Sequence, residues 1–372
     1  VDRRFLLSGQ GWPYLLVPFI PVAIALDVAG ADAVAVFFAS ALGVIPTAAL
    51  MGKATEELAT RSGPGIGGLL NVTFGNAPEL IIALFALGAG LHEVVKASII
   101  GSILGNILLV LGAAAFVGGL GRDRQSFDRT AATAQSSMLL LAATALVMPA
   151  IFELVEGRGL PSPQAERIHY DATVEQLSLA VALVLIATYV VGLLFSLRTH
   201  RALFNPVQEE DERDAHADEP WSVRRSVLAL ALAGVAVGGM SEILVGSISD
   251  AAQKIGLSEF FIGAVVVAIV GNAAEHWVAV LVAAKDKMDL AVNIAIGSSA
   301  QVALFVGPVL VLASFVLGPH PMALVFNGFE VGAMLLGVLI ANHVTNEGET
   351  TWFEGFQLLA VYVVLALAFF FA

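Results

Sequence analysis

The feature that most constrains this chain is the recurrence of long, uncharged apolar runs. Charged residues make up 13% of the 372 positions and hydrophobic ones 58%. A soluble domain carries about 25% charged residues. Runs of about 18 residues or more with almost no charge are long enough to cross about 30 Å of hydrocarbon as helices. Inside lipid no water is available to the backbone, so each spanning segment must bond its own N–H and C=O groups, as a helix does. The runs do not alternate in the manner of barrel strands. The expected fold is therefore an all-α polytopic membrane protein. Its eleven predicted spans lie at about 12–29, 33–58, 66–90, 94–118, 131–152, 173–198, 221–248, 259–284, 288–316, 321–342 and 353–372.

The charges that remain are informative by position. The longest polar gap, 199–220, holds the run Glu209-Glu210-Asp211-Glu212-Arg213-Asp214 and Glu219, and much of the net charge of −13. It reads as an acidic, solvated linker. That net charge argues against nucleic acid as a partner. The chain has no cysteine, which excludes disulfides, Fe–S clusters and thiol catalysis. Asp2, Arg3 and Arg4 precede a first run that reads as a full span and not as a cleaved leader. With the N-terminus cytoplasmic, the inner loops and their flanks hold 13 Lys and Arg residues. The outer ones hold four, Lys96, Arg158, Arg167 and Lys254. The acidic linker is then cytoplasmic and the C-terminus is outside.

An internal repeat follows. Gly75-Asn76-Ala77-Pro78-Glu79 in span three recurs as Gly271-Asn272-Ala273-Ala274-Glu275 in span eight, 196 residues later. Gly101-Ser102 recurs as Gly297-Ser298 at the same offset. Span three runs outward and span eight inward, so the repeat is inverted. One leading span (1–30) and two five-helix halves, 31–198 and 221–372, flank the linker at 199–220. Inverted repeats with polar, Gly-interrupted helices at the midplane are a recurring transporter design.

Glu79 and Glu275 fall near the middle of their spans, where an ionisable group costs at least about 2.5 kcal/mol and marks function by default. Gly75 and Gly271 permit close helix approach or local unwinding. Pro78 lacks an N–H and releases the carbonyl of Phe74. Asn76 and Asn272 add amide oxygens. Ser102, Asn106, Ser298 and Gln301 sit on a neighbouring span of each half. This all-oxygen set suits a hard cation. Ca²⁺ accepts six to eight oxygens in irregular geometry, whereas Mg²⁺ sheds water reluctantly. Two carboxylates match one divalent charge, and protons compete for the same oxygens. Glu56 and Glu242, near the ends of spans two and seven, are candidate cation or proton relays at the two mouths. His276 is a candidate proton shuttle without a first-half counterpart, since Leu80 stands there. Glu57 is expected to be solvated, and His92 and His320 carry no signal. No phosphate-binding loop and no nucleophile–base arrangement occur, so a secondary transporter is favoured over a pump or an enzyme.

The two Gly-Asn-Ala-x-Glu stretches resemble the signature repeats of the Ca²⁺/H⁺ exchanger (CAX) family of the cation/Ca²⁺ exchanger superfamily. Ala54-Thr55-Glu56, Ser241-Glu242 and Gly297-Ser298-Ser299-Ala300-Gln301 look like family sequence too. Asn after the Gly favours this branch over Na⁺/Ca²⁺ exchangers. The resemblance implies an eleven-span fold with an acidic segment between repeats, and central glutamates matching Glu79 and Glu275. It further implies supporting acids matching Glu56 and Glu242, proton uptake coupled to Ca²⁺ export, and in some members a trimer. Gly105 departs from it, since many relatives have Ser there. A prokaryotic plasma (inner) membrane is the expected location, and no cofactor is expected beyond the transported Ca²⁺ and protons. A Na⁺-coupled or other divalent cation exchanger, and a cation channel, remain the alternatives.

Overall fold

The computed structural model describes residues 11–163, 170–196 and 221–372. The predicted acidic linker lies outside the described residues, as do Asp2, Arg3 and Arg4. Among the described residues nine helical segments are long and apolar enough to cross a membrane, and two shorter apolar ones, Trp12–Val28 and Ala77–Gly88, bring the number to the eleven expected.

A 3-10 turn (Trp12–Leu16) leads into α1 (Phe19–Val28). Helix α2 (Ala33–Phe74) follows, with Asp32 accepting from the Val34 N–H as its N-cap. Its 42 residues exceed the predicted span two, and it has no non-helical loop before span three. It is not straight, however. A side chain on Gly67 would run into the backbone of Ala59, yet eight residues of straight helix would hold the two about 12 Å apart. The chain therefore doubles back between them, and spans two and three are two arms of one bent helix. The second arm stops at Gly75-Asn76, and α3 (Ala77–Gly88) restarts with Pro78 in its first turn, where a missing N–H costs nothing.

Span four is continuous from α4 (His92–Leu104) through a π-helical turn (Gly105–Val110) into α5 (Leu111–Gly119). Then come α6 (Arg129–Leu146), α7 (Met148–Val155), α8 (Ala172–Leu194) and α9 (Val223–Ile255). Span eight is α10 (Glu259–Phe261), a π turn (Ile262–Val267) and α11 (Ala268–Ala284). Span nine is α12 (Met288–Gln301), a π turn (Val302–Val306) and α13 (Gly307–Ser314). The chain closes with α14 (Gly328–Thr345) and α15 (Trp352–Phe371). The π turns Gly105–Val110 and Val302–Val306 lie at nearly equivalent places in the two halves.

Contacts between loops sort the helix ends onto two faces. Arg61 donates to the Trp221 carbonyl (3.0 Å), Arg122 pairs with Asp286 (3.4 Å) and Arg124 with Glu349 (2.9 Å). A two-residue antiparallel pairing, β1 (Gln125–Ser126) with β2 (Glu349–Thr350), joins two loops of this basic face. On the opposite face Lys254 pairs with Asp32 (2.9 Å), and Gly90 lies against Pro319. Helix α3 runs toward Gly90 and α11 toward Lys285, so the two motif-bearing helices point in opposite directions.

Three sequence expectations need correction. Span ten does not begin at 321. Residues 321–327 are non-helical and largely buried, and the helix starts only at Gly328, where Asn327 and Glu330 form a capping box. Buried backbone outside a helix needs partners. The Ser314 hydroxyl accepts from the Met322 N–H (2.8 Å), the Ser178 hydroxyl from the Leu324 N–H (3.0 Å), and Lys96 donates to the Val325 carbonyl (3.0 Å). Lys96 is accordingly no loop residue. It lies within α4, 1% exposed, paired with Glu93 at 2.5 Å. Glu57 is not simply solvated: it accepts from the Trp221 N–H (2.9 Å), and Arg225 stacks on the Trp221 ring at 4.3 Å. His92 and His320 meet edge to face, their rings 4.4 Å apart.

Candidate functional site

The break at Gly75-Asn76 places Glu79 in the first turn of α3. The positive end of that half-helix favours a carboxylate there. Asn-x-x-Glu is also the spacing of a capping box, and Asn327 and Glu330 show it closed. Asn76 and Glu79 leave theirs open. The Asn76 side chain makes no cap and instead donates across the molecule to Gln301 Oε1 at 2.6 Å.

The two motifs pack crosswise. A Cβ on Gly271 would stand 3.1 Å from Cγ of Glu79, and one on Gly75 would stand 3.6 Å from Oε1 of Glu275. Gly271 thus makes room for Glu79, while a Cβ on Gly75 would lie in ordinary contact distance of Glu275 and closest to the Asn71 carbonyl, at 2.8 Å. Glu275 sits in the continuous helix α11, so the local unwinding allowed for at Gly271 does not occur; the irregular backbone of that span is the π turn just before α11. Ser298 donates to Glu275 Oε2 (3.2 Å), and Asn272 donates to Ser102 (3.2 Å) and to the Ala268 carbonyl (2.9 Å). Asn106 faces His276 Nε2 at 3.0 Å, so its amide oxygen is engaged by the ring.

The unsatisfied atoms define the centre. Asn76 Oδ1, Asn272 Oδ1 and Glu79 Oε2 are buried and accept no hydrogen bond. An orphaned buried acceptor costs about 1–3 kcal/mol. These three lie on the two repeated motifs, which pack against each other where Gly271 meets Glu79. Among the described residues no Lys or Arg forms an ion pair with Glu79 or Glu275. The two carboxyls lie close together, since Gly271 packs on Glu79 Cγ one helical turn before Glu275. No group of three or more His, Cys, Asp and Glu able to hold a metal occurs among the described residues. A cation held here would therefore need amide and hydroxyl oxygens beside the two carboxylates.

Glu56 and Glu242 are not part of this cluster. The first arm of α2 runs antiparallel to α9, since Asp32 meets Lys254, Gly43 meets Met240, Met51 meets Gly234 and Arg61 meets Trp221. Along that pair the two glutamates stand about 21 Å apart, at opposite ends. Both are exposed, and Glu242 lines an open cavity of ≈ 610 Å³ with Asp27 and Asp250. Two polar residues near the site were not singled out from the sequence, Gln135 of α6 and Asn293 of α12, which bond at 2.6 Å. The available signal was a glutamine inside an apolar span.

Comparison with known proteins agrees with this architecture. The family described as sodium/calcium exchanger protein matches residues 33–198 and 225–371. A Ca(2+)/H(+) antiporter of Synechocystis sp. is 43% identical over 371 residues, covering 96% of each chain. The Ca(2+)/H(+) antiporter ChaA of Bacillus subtilis is 44% identical over 331 residues, covering 88% of this chain and 89% of its own. The solved structure of native YfkE superposes with a TM-score of 0.81 at 38% identity, covering 97% of this chain and 100% of that one. The crystal structure of an H+/Ca2+ exchanger, CAX, shares the fold at a TM-score of 0.67 and 16% identity, covering 98% and 93%. This chain therefore belongs to the sodium/calcium exchanger protein family.

Proposed function

We propose that this protein is a secondary antiporter that exchanges cytoplasmic Ca²⁺ for external protons by alternating access. The observation that carries the reading is the set of orphaned oxygens on the two cross-packed motifs: Asn76 Oδ1, Asn272 Oδ1 and Glu79 Oε2. Ca²⁺ would satisfy them at about 2.3–2.6 Å and tolerate the mixed ligand set. Ser298 and Gln301 hold the site in shape, and Ser102 orients Asn272. The cargo choice draws on the printed names of relatives more than 40% identical over most of the chain.

Exchange follows from shared occupancy. Two carboxylates are neutralised by one Ca²⁺ or by two protons, and not by both together. The half-helix end at Glu79 and the cross-packing of Gly75 and Gly271 keep the two carboxyls within reach of one ion. External protons displace Ca²⁺, the carrier reorients, and cytoplasmic Ca²⁺ displaces the protons. The basic face, with Arg61, Arg122, Arg124, Lys285 and Lys287, is cytoplasmic by the Lys and Arg bias. That assignment puts the N-terminus inside and the C-terminus outside, in a plasma membrane, with two five-helix halves at 31–198 and 221–372. His276, held by Asn106, stands next to Glu275 as a proton relay. Glu56 and Glu242 serve the two mouths.

The test is uptake of radioactive calcium into everted vesicles under an imposed pH gradient. Wild type accumulates Ca²⁺, while Glu79→Gln and Glu275→Gln do not. Retained exchange in either variant sinks the assignment. Replacing the pH gradient by a Na⁺ gradient tests the sodium-coupled alternative.

A further inference from the structure

Helix α12 carries a polar stripe that leads away from the paired glutamates. Asn293, Gly297 and Gln301 are spaced by four and share one helix face, and eight residues of helix rise about 12 Å. Gln301 ends at the site, where it accepts from Asn76. Asn293 lies toward the basic face and is exposed. Between them Gly297 has no side chain. A Cβ there would meet only Asn293 Oδ1 at 3.4 Å and Gln135 Oε1 at 3.7 Å.

Gln135 reaches this point from α6. It is 7% exposed, it donates through Nε2 to Asn293 Oδ1, and its own Oε1 is buried without a donor. With both amides turned over, the free carbonyl is that of Asn293, an exposed residue, so in either assignment one carbonyl oxygen of the pair is left for another partner. In the arrangement shown that oxygen is Gln135 Oε1. Here it borders Gly297, one residue from Ser298, which donates to Glu275.

The first half differs at the corresponding glycine. The counterparts 196 residues earlier are Ala97, Gly101 and Gly105. Ala97 is fully buried, and a side chain on Gly101 would run into the backbone of Ala264, whereas Gly297 faces two amide side chains. The polar lining is therefore present on α12 and absent from the equivalent stretch of α4.

We propose that Gln135 and Asn293 form a way-station for a divalent cation passing between the cytoplasm and the Glu79–Glu275 pair. The inference rests on the exchange reading above and on its orientation. The amide carbonyls replace part of the hydration shell of Ca²⁺, which exchanges oxygen ligands readily. Being neutral, they do not trap the ion, and they do not take up protons at ordinary pH. The station thus favours the metal over its competitor on the side where the metal is scarce.

The experiment compares both membrane faces. In everted vesicles Gln135→Leu and Asn293→Ala raise the KM for Ca²⁺ about tenfold, the worth of one good polar contact, with maximal rate within about twofold of wild type. Gln135→Glu keeps the KM at or below that of wild type. In right-side-out vesicles, where Ca²⁺ approaches from the outer face, the KM of Gln135→Leu stays at the wild-type value. An unchanged KM on the cytoplasmic face overturns the station. So does an equal rise on both faces, which is what loss of helix packing produces. Wild-type vesicles that fail to exchange Ca²⁺ for protons overturn the exchange reading itself, and that outcome is separate from any difference among variants.

Discussion

Asn76 and Asn327 occupy the same place in the same local sequence, Asn-x-x-Glu at a helix start, and do different things. Asn327 accepts from the Glu330 N–H, and Glu330 accepts in return from the Asn327 N–H. Asn76 gives up that bond and holds Gln301 from the other half of the chain. Replacing the two separates the roles. Asn327→Ala is expected to cost about 1 kcal/mol of stability, the worth of a helix cap, read as a lower midpoint in thermal unfolding in detergent, with Ca²⁺ affinity unchanged. Asn76→Ala is expected to leave the midpoint nearly in place and to weaken Ca²⁺ binding, measured by calorimetry on the purified protein. Gly271→Ala belongs with Asn76, because its methyl would stand 3.1 Å from Cγ of Glu79 and push that carboxyl aside. That the two glutamates stand in matching places was legible in the sequence, as ionisable residues repeated in one motif. Gln135 was not, because a lone amide in an apolar span has no motif. Its partner Asn293 is 158 residues away and meets it only in the folded chain.

Elements were legible to the extent that apolar length decides them. Span boundaries fell near the helix ends for α8, for the segment from α10 through α11, and for α15. They failed at 321–327, where an equally apolar segment is non-helical and buried. Pro321 is a weak local mark, and two of the segment's hydrogen-bond partners, Ser178 and Lys96, come from distant spans. Lys96 also ties α4 to this segment through a buried ion pair with Glu93. Lys96→Met strands a buried carboxylate and is expected to lower stability by about 3–5 kcal/mol. Thermal unfolding in detergent reads it, and the double variant with Glu93→Gln should recover much of the loss. Asp32 and Lys254 make the opposite case. The Lys254 ammonium and the Val34 N–H hold the Asp32 carboxyl below its usual range. The pair's contribution is present above the ordinary carboxylate range and is lost as pH falls through the lowered value. Both side chains are more than half exposed, so the midpoint of Asp32→Asn at neutral pH should match wild type closely.

At the scale of the whole molecule, the inverted arrangement was legible because two motifs recur at one offset while the number of intervening spans reverses their direction. The sequence could not say that the two halves would differ in shape. Along α12 Gly297 faces the amides of Asn293 and Gln135, and along α4 Gly101 packs against the backbone of Ala264. The atoms nearest to a Cβ on Gly101 are all backbone. A contact of that kind does not depend on protonation or salt, and it parts only when the two backbones move. One added methyl on Gly101 would hold them apart at all times. Gly101→Ala in proteoliposomes is therefore expected to let protons run down a pH gradient without any Ca²⁺ moving in return, a leak that a pH-sensitive dye reports. An unchanged passive leak would show that the closure lies elsewhere. Seen in this way, the difference between a coupled machine and a hole in the membrane is a single carbon atom that the chain does without.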